Sequence, residues 1–312
     1  MPVDDSLTMF CMAATPFAAH GSLDLDALRL HLRRIAEAGN GVYLGSGGAG
    51  EGHVLTPAEL RQIYDAGVAE CGGRVPVYAN PRESRSALAM YEVAREAVAA
   101  RVDVVQIYQL DAGHGMIPTP REQETYFREL LAELDHPLAI SIHAYAGYAA
   151  SPSLLAALVR DFPQICAVNV MGPPNAYFME VRDALPASVR LYTSVLNVLQ
   201  GFALGASGAL LAENNVIPNV CRRIADGWAS RDLTMASDAA RTVQRFSNVV
   251  NRWAPSTARW VKMALKVLEL PGGNGVLRRP YLLPPEEEQQ DMLRAFQRLR
   301  IRELEGLPAA VG

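Results

Sequence analysis

The sequence predicts an α/β protein: a closed parallel (β/α)8 barrel, a TIM barrel, followed by a C-terminal helical extension. Three observations predict it. Short β-rich runs recur about every 30 residues along the first three quarters of the chain, and they are continuously apolar, as strands covered on both faces are. Stretches with apolar residues at helical spacing separate them. No GxGxxG opens the first helix, which argues against an open doubly wound sheet.

Taken in order, the strand runs are LTMFCMAA, GVYLGS, VPVYAN, DVVQIYQ, PLAISIH, ICAVNV, VRLYTSV and GALLAE. Helical patterns such as LDALRLHLRRIAEAG, TPAELRQIYDAGVAEC and PREQETYFRELLAEL lie between them. Thr56-Pro57, Thr119-Pro120 and Ser151-Pro152 each offer an N-cap followed by proline at the first helical position. Gly39 and Gly72 stand where a glycine just past a helix end is expected. From about Asp232 the strands stop. Helical segments follow over roughly 232–252, 255–270 and 285–303, joined by the Pro- and Gly-dense connector LPGGNGVLRRPYLLPPEEE. The expected division is therefore a barrel over 1–230 and an extension over 231–312 packed on it.

Composition narrows the function classes. Half of the residues are apolar, a fifth are charged and the net charge is −4, as in ordinary globular chains. No basic run and few aromatics speak for nucleic acid, so no nucleic-acid partner is expected. No apolar stretch nears 18 residues and the first residues lack a signal-peptide pattern, so no membrane partner and a cytoplasmic location are expected. The four cysteines show no paired spacing and read as reduced thiols. Lys262 and Lys266 are the only lysines.

Chemistry in such a barrel sits where strands end. After strand 2, LGSGGAGEGH offers Gly47, Gly48 and Ala49 as a nest for an anion, then Glu51 and His53; Glu51 could equally cap the turn. After strand 4 come Tyr108 and a long loop carrying His114 between glycines. Strand 5 ends in SIHAYAGY, with Ser141, His143 and Tyr145. Strand 6 ends at Asn169, strand 7 at Thr193-Ser194, and strand 8 at Glu213, which is either paired structurally or an acid/base group. His53, His114 and His143 map to this catalytic face, while His20, His31 and His136 fall elsewhere. Those three histidines with Glu51 and Glu213 could hold a divalent ion, although no HxH or HExxH spacing supports a metal; the expected cofactor is none.

At these positions the chain resembles the dihydrodipicolinate synthase / N-acetylneuraminate lyase family of class I aldolases. GGAGE at Gly47–Glu51 stands where the family has its Gly-Thr-Thr-Gly-Glu carboxylate loop, AATPF at Ala13–Phe17 resembles its first-strand ending, and ARWVKMALKVLEL resembles its C-terminal helix. ASGALLAENNVIP resembles its eighth strand and the following turn. The resemblance implies a small-molecule substrate and a homo-oligomer, tetramer or dimer.

The departures are as informative. By register with the family's sixth strand, the Schiff-base lysine falls on Asn169, and the loop's hydroxyls become Gly48 and Ala49. The proton-relay tyrosine of strand 5 falls on Ser141. An amide cannot form the enamine. The expectation is a lyase that works without that lysine, by acid/base aldol, retro-aldol, hydration or dehydration chemistry. It would use His143, Asn169, Glu213, His114, Ser141 and Tyr108, with Gly47, Gly48, Ala49, Glu51, His53, Tyr145 and Ser194 binding substrate. A divalent-metal variant and a non-catalytic binding barrel are the alternatives.

Overall fold

The computed structural model describes residues 7–143, 146–172, 174–253 and 257–308. Eight parallel strands close a barrel in chain order: β1 (Thr8–Met12), β2 (Gly41–Leu44), β3 (Val77–Ala79), β4 (Val104–Tyr108), β5 (Leu138–His143), β6 (Ile165–Met171), β7 (Arg190–Ser194) and β8 (Gly208–Leu211). Each coincides with one of the apolar runs of the sequence. Closure brings β8 against β1 in register Thr8 to Gly208. A Cβ at Gly208 would lie 1.9 Å from the Thr8 carbonyl oxygen, so only glycine fits this seam.

The helices α1 (Leu25–Glu37), α2 (Pro57–Cys71), α3 (Ala87–Ala100), α4 (Pro120–Ala132), α5 (Pro152–Asp161), α6 (Asn175–Ala184), α7 (Val198–Ala203) and α8 (Pro218–Ala229) alternate with the strands. The expected caps are in place. Thr56 and Thr119 form capping boxes with Glu59 and Glu122, and Ser151 accepts from the Leu154 amide. Gly39 takes φ +77°, as a residue past a helix end does, whereas Gly72 stays at φ −55° and Gly73 takes the left-handed position.

Four further helices follow, α9 (Leu233–Val250), α10 (Thr257–Val267), α11 (Glu286–Arg298) and the short α12 (Ile301–Leu304). Phe246 of α9 stacks on Phe296 of α11, with ring centroids 5.2 Å apart, and meets Trp260 of α10 at 6.0 Å. Among the described residues no helix is long and apolar enough to cross a membrane.

Two cores result. The larger lies between sheet and helices; the smaller fills the barrel with Phe10, Tyr43, Tyr78, Val104, Ala139, Ala167, Met171, Tyr192 and Leu210. Side chains alternate between faces along a strand. The members of this inner set therefore identify which residues at the strand ends look into the barrel.

Candidate active site

The inner core is capped by a polar layer. Gln106 stands two residues beyond Val104 on β4, Ser141 two beyond Ala139 on β5, and Asn169 two beyond Ala167 on β6, so all three continue the inward face toward the C-terminal rim. Asn169 is register partner to Ser141 on one side and to Tyr192 on the other. Its Nδ2 donates to the Gln106 Oε1 at 2.5 Å and to the Tyr43 hydroxyl at 3.0 Å, and Gln106 Nε2 donates on to Asn80 Oδ1 at 2.8 Å. A primary amide nitrogen carries two hydrogens. Both are taken up here, so what Asn169 has left to offer is an acceptor.

That acceptor, Asn169 Oδ1, meets no partner among the described residues, nor does Ser141 Oγ, and both side chains are completely buried. Every group named in this layer is an amide or a hydroxyl. His143, two residues beyond Ser141, extends the same face, its ring 5.6 Å from that of Tyr108. Burial pushes the His143 imidazole down to about 4, which keeps it neutral at pH 7. Burial also pushes the Tyr108 and Tyr43 hydroxyls up, so both stay protonated.

The loop after β2 forms the second part. It leaves the strand two residues past Tyr43, whose hydroxyl holds Asn169. Glu51 sits at φ +54°, and Gly52 must be glycine because a Cβ there would lie 2.2 Å from the Gly45 carbonyl oxygen. The Gly50 and Gly52 amides are satisfied within the loop by Ser46. Gly47, Gly48, Glu51 and His53 line a pocket of about 260 Å³ with Thr257 and Tyr281; Ala49 is buried beneath. His53 is exposed, bonded to the Gly47 carbonyl at 3.0 Å and set edge-on to Tyr281.

Glu51 does not simply cap its turn. Its carboxylate is completely buried and ion-paired with Lys262 of α10, and it accepts from the Arg278 amide at 3.2 Å. Lys262 donates to the Val276 carbonyl at 2.8 Å and lies 4.1 Å from the centre of the Phe17 ring. Burial lowers the Lys262 ammonium to about 8, with Glu51 opposing the fall. Lys262 thus lies beside the loop after β2, anchored by three neighbours.

Glu213 and His114 stand on the segments after β8 and β4. Glu213 accepts from the Ser247 hydroxyl of α9 at 2.7 Å, with burial raising its carboxyl above the usual range. His114 is exposed on the loop after β4, at φ +58°. Ser194 ends β7, half-buried, and Tyr145 lies outside the described residues. Among the described residues no three or more His, Cys, Asp or Glu side chains gather as metal ligands, so His53, His114, His143, Glu51 and Glu213 do not form one set.

Sequence reasoning passed over Tyr43, Asn80 and Gln106. Part of the signal was available: Gln106 stands two residues before the end of β4 and Asn80 two residues past the inward-facing Tyr78, both on the inward face.

Comparison with known proteins agrees with this architecture. The sequence profile of the Dihydrodipicolinate synthetase family matches residues 5–299. A 4-hydroxy-tetrahydrodipicolinate synthase from Chlorobium phaeovibrioides is 24% identical over 275 residues, 86% of this chain and 88% of that protein. A Streptomyces coelicolor protein described as "Probable 5-dehydro-4-deoxyglucarate dehydratase 1" is 31% identical over 183 residues, 57% of this chain and 55% of its own length. The crystal structure of dihydrodipicolinate synthase from Aquifex aeolicus superposes with a TM-score of 0.85 at 19% identity, covering 95% of this chain and 98% of that one. With a profile match spanning nearly its whole length, the chain belongs to the dihydrodipicolinate synthetase family.

Proposed function

We propose that the protein is a lyase of this family that works without a strand-6 Schiff base, by acid/base aldol, retro-aldol, hydration or dehydration chemistry on a small carboxylated substrate. The observation that carries this is Asn169, whose amide is locked into the neutral Tyr43–Gln106–Asn80 network at the barrel's centre. Membership of a family that includes a synthase and a dehydratase among its relatives supports the lyase class. The loop Gly47–Ala49, with the Glu83 carboxylate packed against Gly47, is the seat that the family resemblance implies for a substrate carboxylate.

In this scheme His143 begins neutral and accepts a proton from the substrate. A bound carboxylate nearby raises its basicity by stabilising the imidazolium. In a retro-aldol, the proton leaves a hydroxyl, the adjacent C–C bond breaks, and its electron pair is taken by the neighbouring carbonyl as an enolate. Tyr108, protonated and beside His143, is the group available to return a proton. Glu213, turned to Ser247, takes no part.

The test is borohydride reduction in the presence of pyruvate, read by intact mass, with turnover of a panel of hydroxy and unsaturated carboxylates followed in parallel. No adduct is expected, and His143→Ala should lower turnover at least 100-fold, the usual scale for a general acid/base residue, with the fold retained. A stable adduct mapped to Lys262 or Lys266 sinks the lysine-independent mechanism. Ligand binding without turnover across the panel would identify a binding barrel instead.

A further inference from the structure

Glu83 stands on the segment between β3 and α3, at the same end of the barrel as the loop after β2. Its carboxylate lies over the bare Cα of Gly47: a Cβ there would come within 2.6 Å of Glu83 Oε2 and 3.2 Å of Oε1. Beside it, only part of the loop's backbone is satisfied. The Gly50 and Gly52 amides go to Ser46, and the Glu51 amide goes to the Gly48 carbonyl. The amides of Gly47, Gly48 and Ala49 meet no acceptor among the described residues. Gly47 is half-buried and Gly48 exposed, and both line the pocket of about 260 Å³, so small solutes reach this end of the loop.

Two carboxylates sharing a site oppose each other's charge. An anion drawn to the three amides would meet that of Glu83, whose cationic neighbours in the chain bond elsewhere: Arg82 to the Leu55 carbonyl at 3.5 Å and Arg85 to Asp111 at 3.1 Å. Burial first, and the Glu83 charge second, raise the Tyr108 hydroxyl, so this carboxylate is felt at the end of β4 as well. We propose that Glu83 is a specificity-determining residue: its carboxylate holds anions off the 47–49 loop, and a substrate carboxylate binds there only when Glu83 turns away. The apparent affinity for any carboxylate is then lowered by the fraction of time the loop stands open. A neutral amide of the same shape meets no such charge, and its N–H can donate to the Glu83 oxygens. This deepens the proposed function and rests on the carboxylate seat of that reading.

Titration calorimetry of the full-length protein with two pairs, pyruvate and pyruvamide, L-lactate and L-lactamide, tests it. Within each pair only the charge of the terminal group changes. Glu83→Gln should bind both carboxylates about tenfold more tightly than wild type, the effect of a loop open about a tenth of the time, with the amides changing less than about threefold. Glu83→Ala, which also clears the space over Gly47, should bind the carboxylates at least as well. Carboxylates bound equally by wild type and both variants, bound more weakly by a folded variant, or bound by none of the three overturn the proposal. A gain shared equally by acids and amides overturns it too, because space and not charge would then be the cause. A crystal structure of the wild type with pyruvate decides even if neither variant folds. Pyruvate on the loop with Glu83 turned away supports the proposal; pyruvate there with Glu83 still over Gly47 excludes it. A borohydride adduct with pyruvate would remove the lysine-independent mechanism and leave the charge effect at the loop; equal affinities without an adduct would remove only the role of Glu83.

Discussion

Lys262 is the residue whose surroundings most change its chemistry. Fully buried, it meets the Glu51 carboxylate, the Val276 carbonyl and the face of Phe17, and its ammonium is held near 8. Breaking a buried ion pair on one side leaves an uncompensated charge, at about 3–5 kcal/mol. Lys262→Met should therefore lose stability on that scale in urea unfolding, and Lys262→Met combined with Glu51→Leu should recover part of the loss. A single variant within about 1 kcal/mol of wild type, the range typical of surface pairs, would show that the pair carries no such weight. The sequence placed Glu51 on the right loop but could not supply its partner, which lies far along the chain on α10. It likewise placed Asn169 at a strand end, while the fact that its two donors are already engaged depends on Tyr43 and Gln106 from other strands. Local pattern finds positions; pairing across the barrel decides what each position can do.

The helix α1 shows the same division at the scale of an element. Its apolar stripe was legible, and with it the buried face that includes Leu28, Leu32 and Ile35. What the stripe did not disclose is that His31 and Arg34 clamp the turn after β8. His31 Nε2 donates to Asn215 Oδ1 at 2.8 Å, and Arg34 donates to the carbonyls of Asn215 and Val216 at 2.9 and 2.5 Å. Asn215 also accepts from the Ala14 amide and donates to the Met12 carbonyl, joining the ends of β1 and β8. Burial, with the Arg34 charge adding to it, lowers His31 to about 4 from 6.5. Between those values the unfolded chain binds a proton that the folded chain refuses, so this contribution is full above about 6.5 and is lost as pH falls toward 4. Measured against His31→Gln, which does not titrate, the wild type should lose roughly 3 kcal/mol of relative stability between pH 7 and pH 4. A difference independent of pH would mean that the ring is protonated in place. Glu213 illustrates the limit of strand-end logic. The sequence left a structural partner and an acid/base role equally open for this residue; the partner in the structure is the Ser247 hydroxyl of α9.

For the whole molecule, the eightfold repeat was readable because parallel strands buried on both faces are written as apolar runs, with capped helices between them. The relation of residues 231–312 to the barrel was less accessible, since amphipathic helices say that they cover something without saying what. In the structure the extension reaches the barrel in two ways. It supplies the partners of buried charges, Lys262 for Glu51 and Ser247 for Glu213, and it buries Phe246, Trp260, Met263, Met292 and Phe296. Deleting one large buried side chain costs about 3–5 kcal/mol. A domain's total stability is about 5–15 kcal/mol. Removing several such side chains together, while stranding two buried carboxylates, exceeds that margin. A chain ending at residue 230 should therefore fail to melt cooperatively and should bind hydrophobic dye at 25 °C, whereas the full chain melts as one unit. Recovery of a soluble 1–230 fragment with a single sharp thermal transition would make the extension an accessory rather than the outer wall of the barrel's own core. It would also separate the loop after β2 from the lysine that pairs with Glu51, so that ligand binding by such a fragment would locate the site in the barrel alone.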